Sequence, residues 1–494
     1  MGPRQFHFAG VDHISSLSWP HGEKFPTADG RRPRIFGLSG LALVNSSSSR
    51  DAPLTLFAVC DRSAVLSGEI FFDFKTLELT SLTWRNHWGV VRHPPADDVV
   101  KHLDVEGIAV LPNGEVILSA EPHPIYRLPR WQSWSRLGGP LPATPLPQSL
   151  PNYILGGIGH NLGFEALTAL PRASVTTASS SGIIVVGLEG SLAQDASTVR
   201  RLFELNAATG EVLRQAVVLI AAHEPTHLLA ELEALDDGGL TKGGRFLALE
   251  RSWGLVTGND IRLYMLNAAN VDDVRHCRAI ISDQVALPPQ IDTGVDSIHC
   301  PLDSIVVVHK ELLLRWSKDS PLADRLAVDN YEGMAIVPPA AFRQDSWEDM
   351  GGVMLLLVND NNDNPAQIGT QLVLMRLAFD GMSIKGDAKD VEFDVDEETG
   401  KAKISWQWLL ILPLLLLLLC WLARRFSRRA WQELDKQDQQ EEQDEDVVGQ
   451  LQNASGCSCG AMPWVFSRGA SSFSSPFPSA RNLQMAQLTS ASQV

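Results

Sequence analysis

Val105-Glu106-Gly107-Ile108-Ala109 and Tyr331-Glu332-Gly333-Met334-Ala335 are two copies of one short phrase that decides the fold. The phrase recurs with changes as Phe164-Glu165-Ala166-Leu167-Thr168 and Leu232-Glu233-Ala234-Leu235, and without its acid as Leu38-Ser39-Gly40-Leu41-Ala42. Repeats tens of residues apart and built from short apolar segments are typical of propellers and similar arrays, in which each unit covers its neighbour's apolar face.

A second acid closes the β-rich apolar run that follows each phrase. These second acids are Asp61, Glu121, Glu189, Glu250 and Asp360. Several units then continue into another strand pair, as in residues 199–206 before the turn at 207–210. Two strands, an acid and a two-stranded ribbon make one four-stranded blade. The sequence therefore predicts an all-β fold, a β-propeller.

The number of blades stays open between five and six. Five phrases give five blades. The interval from Glu233 to Glu332 is longer than the others, and the apolar segments at 304–308 and 311–314 within it could form a degenerate sixth blade.

Composition narrows the class of partner. The 494 residues include 41 Lys and Arg against 58 Asp and Glu, a formal charge of 41 − 58 = −17. This balance argues against nucleic acid as a partner and is compatible with cation binding. Part of the excess is local, because residues 433–446 are rich in acids and read as a solvated tail.

An uncharged apolar run from Trp408 to Ala423 is the strongest local signal after the repeat. With Trp406 and Gln407 it reaches the length that crosses a hydrocarbon core of about 30 Å. The run has no polar face and carries Trp at both ends, which favours a membrane span at 406–423 over a buried core helix. The lipid bilayer is thus an expected partner.

Four arginines directly after the span outweigh the two lysines before it. The positive-inside bias places the C-terminal tail in the cytosol and the large N-terminal domain in the lumen or outside the cell. No signal peptide is visible at the N-terminus, which lacks an apolar core. We expect that a signal-bearing first segment is missing; the alternative is insertion through the span alone, with reversed topology.

The remaining layout follows from composition. Residues 1–36 form a turn-rich lead-in, 37–381 the propeller, 382–405 a charged stalk and 424–494 a disordered tail that is basic, then acidic and Ser-rich.

Cys277 and Cys300 are the expected disulfide of the large domain, which leaves Cys60 as a buried strand residue. Asn45 begins a glycosylation sequon.

Acids at repeated positions are presented to one axis of a propeller from several blades. Glu106, Glu165, Glu233 and Glu332 form one expected ring, and the second acids form another. Converging carboxylates repel one another unless protons or a cation lie among them. Oxygen ligands without His or Cys suit Ca²⁺ or Mg²⁺. The alternative is that the acids are structural and accept backbone N–H bonds within each blade.

Two motifs look like metal sites and are not predicted to be. His223-Glu224-Pro225-Thr226-His227 matches the zinc-peptidase pattern, but Pro225 disrupts the helix that this pattern requires. The Asn- and Asp-rich stretch at 359–364 lacks the glycine and the glutamate of an EF-hand loop, because Pro365 and Gln371 occupy those places. An Asx-rich turn is the simpler interpretation.

Six motifs, taken in order, resemble those of the phytase-like family, whose domain is described as having esterase-like activity of phytase. They are Gly37 to Ala42, Phe57 to Arg62, Glu106 to Ala109, Asn161 to Leu167, Leu249 to Arg251, and Asp329 to Ala335 with Asn359 to Asn362. The resemblance covers about residues 35–381. Cys60 departs from a usual Ser, and Val105 from a frequent Pro.

The resemblance implies a β-propeller and hydrolysis of a phosphoester or other ester assisted by a divalent cation. On this reading Glu165, Glu332, Arg62 and Arg251 are the catalytic candidates, with the two arginines meeting an anionic small-molecule substrate. The metal candidates are Asp61, Glu106, Glu165, Glu233, Glu250, Glu332 and Asp360. A non-catalytic propeller that binds a ligand or a protein, with structural carboxylates, is the alternative. The oligomeric state is not predicted.

Overall fold

The computed structural model describes residues 8–379, apart from 21–22, 28–29, 31, 35–36, 46–51, 62, 74, 93–102, 122–124, 138, 148–149, 160–161, 171–181, 221–226, 255–257, 282–298, 343–350 and 361–368. The predicted stalk, membrane span and tail therefore lie outside the described residues. Among the residues that are described, no helix has both the length and the apolar character needed to cross a membrane.

Strands dominate the first half of the described chain. After β1 (Phe8–Trp19), the first blade consists of β2 (Leu38–Val44), β3 (Leu54–Cys60), β4 (Ala64–Asp73) and β5 (Glu78–Arg92). The second consists of β6 (Asp104–Val110), β7 (Val116–Glu121), β8 (Tyr126–Leu128) and β9 (Leu141–Pro145), with a 3-10 helix at Trp131–Arg136. The helix α1 (Asn152–Leu155) precedes the third, which consists of β10 (Phe164–Ala169), β11 (Ile183–Leu188), β12 (Val199–Asn206) and β13 (Val212–Leu219).

The second half repeats this plan with one insertion. Blade four begins with β14 (Leu228–Ala234), β15 (Arg245–Gly254) and β16 (Gly258–Asn267); the short parallel pair β17 (Ala279–Ile281) and β18 (His299–Pro301) intervenes before its fourth strand, β19 (His309–Ser317). Blade five contains β20 (Tyr331–Ile336), β21 (Gly352–Asn359) and β22 (Thr370–Phe379). Further 3-10 helices lie at Leu302–Ser304, Pro321–Asp324 and Pro339–Phe342.

The N-terminal strand completes the last blade. β1 pairs antiparallel with β22, from Phe8 opposite Phe379 to Trp19 opposite Thr370. The predicted lead-in therefore contributes a strand, and the propeller boundary expected at residue 37 leaves it out. β1 is mostly half-buried or exposed, so it lacks the continuous apolar run that marks the inner strands in the sequence.

The five blades form a propeller-like ring, and β5 also pairs in parallel with β9, which joins the outer edges of blades one and two. The first strands of the blades contact one another in a closed circle, β2 to β6, β6 to β10, β10 to β14, β14 to β20 and β20 back to β2. The two segments that could have formed a sixth blade belong to blade four. Residues 311–314 lie in β19, the outer strand of this blade, and residues 304–308 lead into β19. The described residues thus give five blades.

The apolar core lies between neighbouring blades. On each second strand, adjacent residues face opposite neighbours: Ala248 packs with blade three, whereas Leu249 packs with blade five. Leu356 and Leu357 divide in the same way between blade one and blade four. Because successive side chains of a strand alternate in direction and both faces are buried, these strands read as unbroken apolar runs.

A disulfide ties the insertion in blade four. Cys277 and Cys300 are bonded, which confirms the pairing expected from the sequence. Cys60 lies buried in β3 as a thiol.

Candidate metal site

Every inner strand carries a β-bulge at the same level. The register with the second strand shifts between Leu38 and Gly40, Val105 and Gly107, Phe164 and Leu167, Leu229 and Glu231, and Tyr331 and Gly333. A bulge leaves an extra residue outside the ladder and redirects its side chain. In blades two, three and five the phrase recognised in the sequence lies at this bulge, and its acid is at or beside the extra residue. Blade one has Ser39 in the same place, and blade four has Ala230.

The glycine after the acid lets neighbouring inner strands approach closely. A Cβ atom on Gly40 would lie 2.7 Å from the carbonyl oxygen of Glu106, and one on Gly107 would come closer still to that of Glu165. A Cβ on Gly333 would lie 3.1 Å from the carbonyl oxygen of Ser39. Glycines at the bulges of blades one, two and five thus allow neighbouring inner strands to lie close together at this end of the ring.

Second acids reach the same end from the second strands. Asp61, Glu189 and Asp360 each directly follow the second strand of their blade. Their backbone N–H groups donate to the carbonyl oxygens that precede the inner strands, those of Gly37, Gly163 and Asn330, at 3.2, 2.9 and 2.8 Å. Glu121 has the equivalent place in blade two, one residue past Ala120, the partner of Val105.

Eight carboxylates meet at this end, which we call the acidic mouth: Asp61, Asp104, Glu106, Glu121, Glu165, Glu189, Glu332 and Asp360. Candidate ligand oxygens of Asp104, Glu106 and Glu121 lie within 4.8 Å of one another, and so do those of Glu121, Glu165 and Glu189. Glu121 belongs to both groups. The backbone N–H of Gly163 donates to its Oε1 and holds it in place.

Arg251 lies among these acids because blade four is shifted in register. Leu229 pairs with Glu250, so the residue that matches Asp61, Glu121, Glu189 and Asp360 is Arg251. Its Nη2 lies 2.8 Å from Glu332 Oε1, 3.1 Å from Glu189 Oε1 and 3.6 Å from Glu165 Oε1. Its Nη1 also donates to Asn330 Oδ1 at 3.4 Å.

The side of the mouth formed by blades one and two has a different environment. Asp104 is paired with Glu121 across β6 and β7, and the Oγ of Ser39 donates to Asp61 Oδ1 at 2.5 Å. Among the described residues, the charges that act most strongly on Asp104 and Glu106 are those of other carboxylates, with Asp61 first in both cases.

Burial and mutual repulsion raise the pKa values of the acids. Burial, followed by the charges of Asp61 and Glu121, raises the pKa of Asp104 to about 6. Burial and neighbouring acids raise the pKa of Glu106 and that of Glu165 well above the usual range. The pKa of Glu189 is raised to about 7, mainly by burial, although Arg251 acts in the opposite direction. Near neutral pH the mouth therefore holds protons that a cation could displace.

Two of the predicted metal ligands are not brought to the mouth. Glu250 lies one residue out of register with the other second acids and forms an ion pair with Lys310. Glu233 lies three residues past the bulge of blade four and accepts a hydrogen bond from Thr168 Oγ1 at 3.2 Å. Burial raises the pKa of Glu233 to about 8.

Glu231, which the sequence did not single out, occupies the place of the phrase's glycine in blade four. It accepts backbone N–H bonds from Leu167 and Leu232 at 2.9 and 3.0 Å. Glu231 and Glu233 thus link β14 to β10 within the ring and have a structural role.

The other sequence candidates divide into two groups. Asp61, Glu106, Glu165, Glu332, Asp360 and Arg251 are brought together at the mouth. Arg62, His223 and residues 361–364 lie outside the described residues. Asp104 was not predicted from the sequence, because it precedes the repeated phrase. Its pairing with Glu121 between β6 and β7 shows that it belongs to the mouth, and this pairing is not visible in the repeat.

Comparison with known proteins gives one family match. The family model described as "Phytase-like: Esterase-like activity of phytase" matches residues 33–363. No curated protein matches the sequence significantly. Among solved structures, the major Malassezia sympodialis allergen Mala s 1 is similar, with 9% sequence identity and a TM-score of 0.32. The match covers 78% of this chain and 95% of the allergen chain. Drosophila Semaphorin 1b, extracellular domains 1-2, is similar with 8% sequence identity and a TM-score of 0.29. The match covers 74% of this chain and 80% of the semaphorin chain.

Proposed function

Because the chain belongs to the phytase-like family, we propose that its acidic mouth binds a divalent cation, Ca²⁺ or Mg²⁺, and that the protein hydrolyses a phosphoester or a carboxyl ester. The observation that carries the proposal is the convergence of eight carboxylates from four blades at one end of the ring. Such a concentration of like charge requires protons or a cation.

The chemistry of the donors fits a hard cation. All ligand atoms in the two overlapping groups of acids at the mouth are carboxylate oxygens, which Ca²⁺ and Mg²⁺ prefer. Among the described residues, Glu189 Oε2 is buried and has no hydrogen-bond partner, while the side chain of Glu189 is only 1% exposed. A buried carboxylate oxygen without a partner is costly unless a ligand or a proton satisfies it.

The residues of the mouth would have different roles. Asp104, Glu106 and Glu121 would hold the cation, which when bound would polarise an ester oxygen. Glu189, with a pKa of about 7, is suited to accept a proton from a water molecule near neutral pH. Glu165 and Glu332 would position Arg251, which they contact. Asp61 and Asp360 would add negative charge to the mouth, and Arg62 remains a candidate for contact with a substrate anion.

A non-catalytic binding propeller is the second candidate, favoured by the ion pairs of Arg251. Three of the eight carboxylates contact its guanidinium, as expected for acids that stabilise the fold. In that case a ligand or a protein would bind at the mouth without turnover.

Hydrolysis of a panel of phosphomonoesters, inositol phosphates and carboxyl esters, with Ca²⁺, Mg²⁺ or EDTA, separates the two candidates. We expect turnover that chelation abolishes and that Glu165→Gln strongly reduces while the protein stays folded. The matched control is Glu311→Gln, at an exposed position of β19. Absence of turnover from a folded protein that binds the cation would favour the binding propeller.

We further propose that residues 406–423 anchor the protein in a membrane, with the propeller in the lumen or outside the cell and the tail in the cytosol. Two features of the propeller support this orientation: the disulfide is typical of oxidising compartments, and Asn45 of the sequon is exposed. The test is treatment of the protein from sealed membranes with a glycosidase. Loss of mass in wild type but not in Asn45→Gln supports the orientation, and protease access to the propeller from the cytosolic side would contradict it.

A further inference from the structure

The hairpin formed by β15 and β16 in blade four extends past the acidic mouth. In blades one, two, three and five the second strand ends at the second acid or one residue before it. In blade four β15 continues three residues beyond Arg251 to Gly254, and β16 returns from Gly258. Gly254 pairs with Gly258, so the two strands stay paired to the end of the hairpin. At about 3.3 Å per residue, the hairpin projects about 10 Å beyond the level of Arg251.

Trp253 lies near the end of this hairpin, opposite Asn259. It is 66% exposed, more than any other large apolar residue in the described part of the chain. Single exposed apolar side chains are ordinary on protein surfaces, so exposure alone assigns no role to Trp253. Its position does, because it lies two residues beyond Arg251 on the strand that brings this arginine to the mouth.

Trp253 and Arg251 lie on the same face of β15. Successive side chains of a strand alternate in direction, and the register of β15 with β16 is continuous. Arg251 Nη2 lies 2.8 Å from Glu332 Oε1 of blade five. Ser252, between the two, points to the opposite face, where its Oγ is 3.0 Å from His227 Nε2. Trp253 and Arg251 are thus about 7 Å apart along one face, close enough for one small molecule to touch both.

Polar contacts hold the base of the hairpin. Asp260 lies opposite Ser252 and accepts a hydrogen bond from Arg262 Nη2 at 2.9 Å. Arg315 donates to the same carboxylate from Nε and Nη2, at 3.0 and 2.9 Å. Trp253 is therefore carried on an ordered pair of strands. A side chain presented on such an element loses less conformational freedom when a ligand binds than one on a flexible loop.

We propose that Trp253 is a specificity-determining residue that stacks on a ring of the substrate while the ester group lies at Arg251 and the cation. The inference rests on the proposed function and names the substrate class, which is esters of alcohols that carry an aromatic ring. An indole pairs with another aromatic ring in offset or edge-to-face geometry. Because the ring does not react, its contact with Trp253 strengthens substrate binding and leaves the chemical step unchanged.

The test compares benzyl with butyl esters, as phosphates and as acetates, using the full chain with Ca²⁺. Trp253→Ala should raise the KM of the benzyl ester about three- to tenfold, keep its kcat within about twofold and leave the butyl ester unchanged. Trp253→Phe retains an aromatic ring and should keep most of the preference for the benzyl ester. The matched control is Leu312→Ala, which removes an exposed apolar side chain on β19.

A binding measurement makes the inference independent of turnover. Benzylphosphonate and butylphosphonate resist hydrolysis, and calorimetry with Ca²⁺ measures their affinities. If wild type hydrolyses no ester but prefers benzylphosphonate, and Trp253→Ala abolishes that preference, the proposed hydrolysis is wrong and the role of Trp253 stands. If wild type hydrolyses esters without preferring the benzyl group, or Trp253→Ala keeps the preference, hydrolysis stands and the role of Trp253 is refuted. Without hydrolysis, equal binding of the two phosphonates, or binding of neither, refutes both.

Discussion

The two sides of the acidic mouth are built from the same repeat, and Arg251 lies on one of them. On the side of blades three, four and five, three glutamates contact its guanidinium at 2.8 to 3.6 Å. On the side of blades one and two, Asp104, Glu106 and Glu121 bring candidate ligand oxygens within 4.8 Å of one another. The contrast teaches that a single change of residue in a repeat can give acids at equivalent positions different partners.

The largest expected effect is on Glu121, which the two groups of acids share. Glu121→Gln keeps the acceptor for the N–H of Gly163 and removes the charge, so we expect Ca²⁺ affinity to fall about 100-fold through loss of a charged ligand. Calorimetry measures the affinity, and Glu311→Gln is the surface control. An unchanged affinity in Glu121→Gln would remove the basis for distinguishing the sides.

Glu332→Gln probes the Arg251 side and should show the reverse pattern. The substitution removes the carboxylate that lies 2.8 Å from Arg251, while the amide oxygen of the new glutamine can still accept the hydrogen bond from Asn330 Nδ2. We expect a loss of about 1–3 kcal/mol in the free energy of unfolding and a change in Ca²⁺ affinity of less than about tenfold. Denaturant titration and calorimetry on the same sample measure both. A larger loss of affinity than in Glu121→Gln would place the ion beside Arg251.

The pH dependence of cation binding follows from the raised pKa values of two proposed ligands, Asp104, with a pKa of about 6, and Glu106, whose pKa lies well above its usual range. Because the cation binds the deprotonated carboxylates, Ca²⁺ affinity should rise with pH by about tenfold or more between pH 5.5 and 8, and binding should release protons. Titrations in buffers of different ionisation enthalpy count those protons. A pH-independent affinity over this range would show that the acids are already ionised.

Without a cation the same groups should make stability fall as pH rises. A carboxyl whose pKa is raised in the folded state stays protonated after the unfolded chain has ionised, so stability is greatest below the ordinary value and is lost through the raised one. For Asp104 this window runs from 3.8 to about 6. Saturating Ca²⁺ should flatten the decline in melting temperature, and an equal decline with and without Ca²⁺ would contradict cation binding at these acids.

The smallest effect is expected at Glu233, which lies away from both sides of the mouth. Its pKa of about 8 means that folding opposes its ionisation between pH 4.5 and 8. Glu233→Gln removes that penalty, so the variant should melt a few degrees above wild type at pH 8, equal it at pH 4, and bind Ca²⁺ as wild type does. A drop in Ca²⁺ affinity would show that Glu233 is a ligand, as the sequence predicted.

The fold was largely predictable because its signals are local and repeated. The bulges of blades two and five share a Glu-Gly pair, blade one keeps the glycine that close strand contact requires, and each second strand is a continuous apolar run because both faces are buried. β1 was not predictable in this way, since it is an outer strand without a continuous apolar pattern and pairs with a segment more than 300 residues away.

The site was predictable only in part, for a geometric reason. In blade four the phrase Leu232 to Leu235 looks like the repeat, but the bulge lies at Leu229 to Glu231, and the sequence contains no sign of this shift. The shift moves Glu233 and Glu250 away from the mouth and brings Arg251 into it. Arg251 was predicted to be a catalytic candidate from the family resemblance. Its three carboxylate partners come from other blades, so their contacts with Arg251 do not follow from their positions along the chain.

The most direct test of the central claim is a paired Ca²⁺ titration of Glu106→Gln and Glu165→Gln, two bulged acids on opposite sides of the mouth. Glu106 has other acids as its strongest charged neighbours, whereas Glu165 contacts Arg251. The account predicts that Glu106→Gln weakens Ca²⁺ binding by at least about tenfold more than Glu165→Gln does. Equal losses in the two variants, or a greater loss in Glu165→Gln, would contradict it.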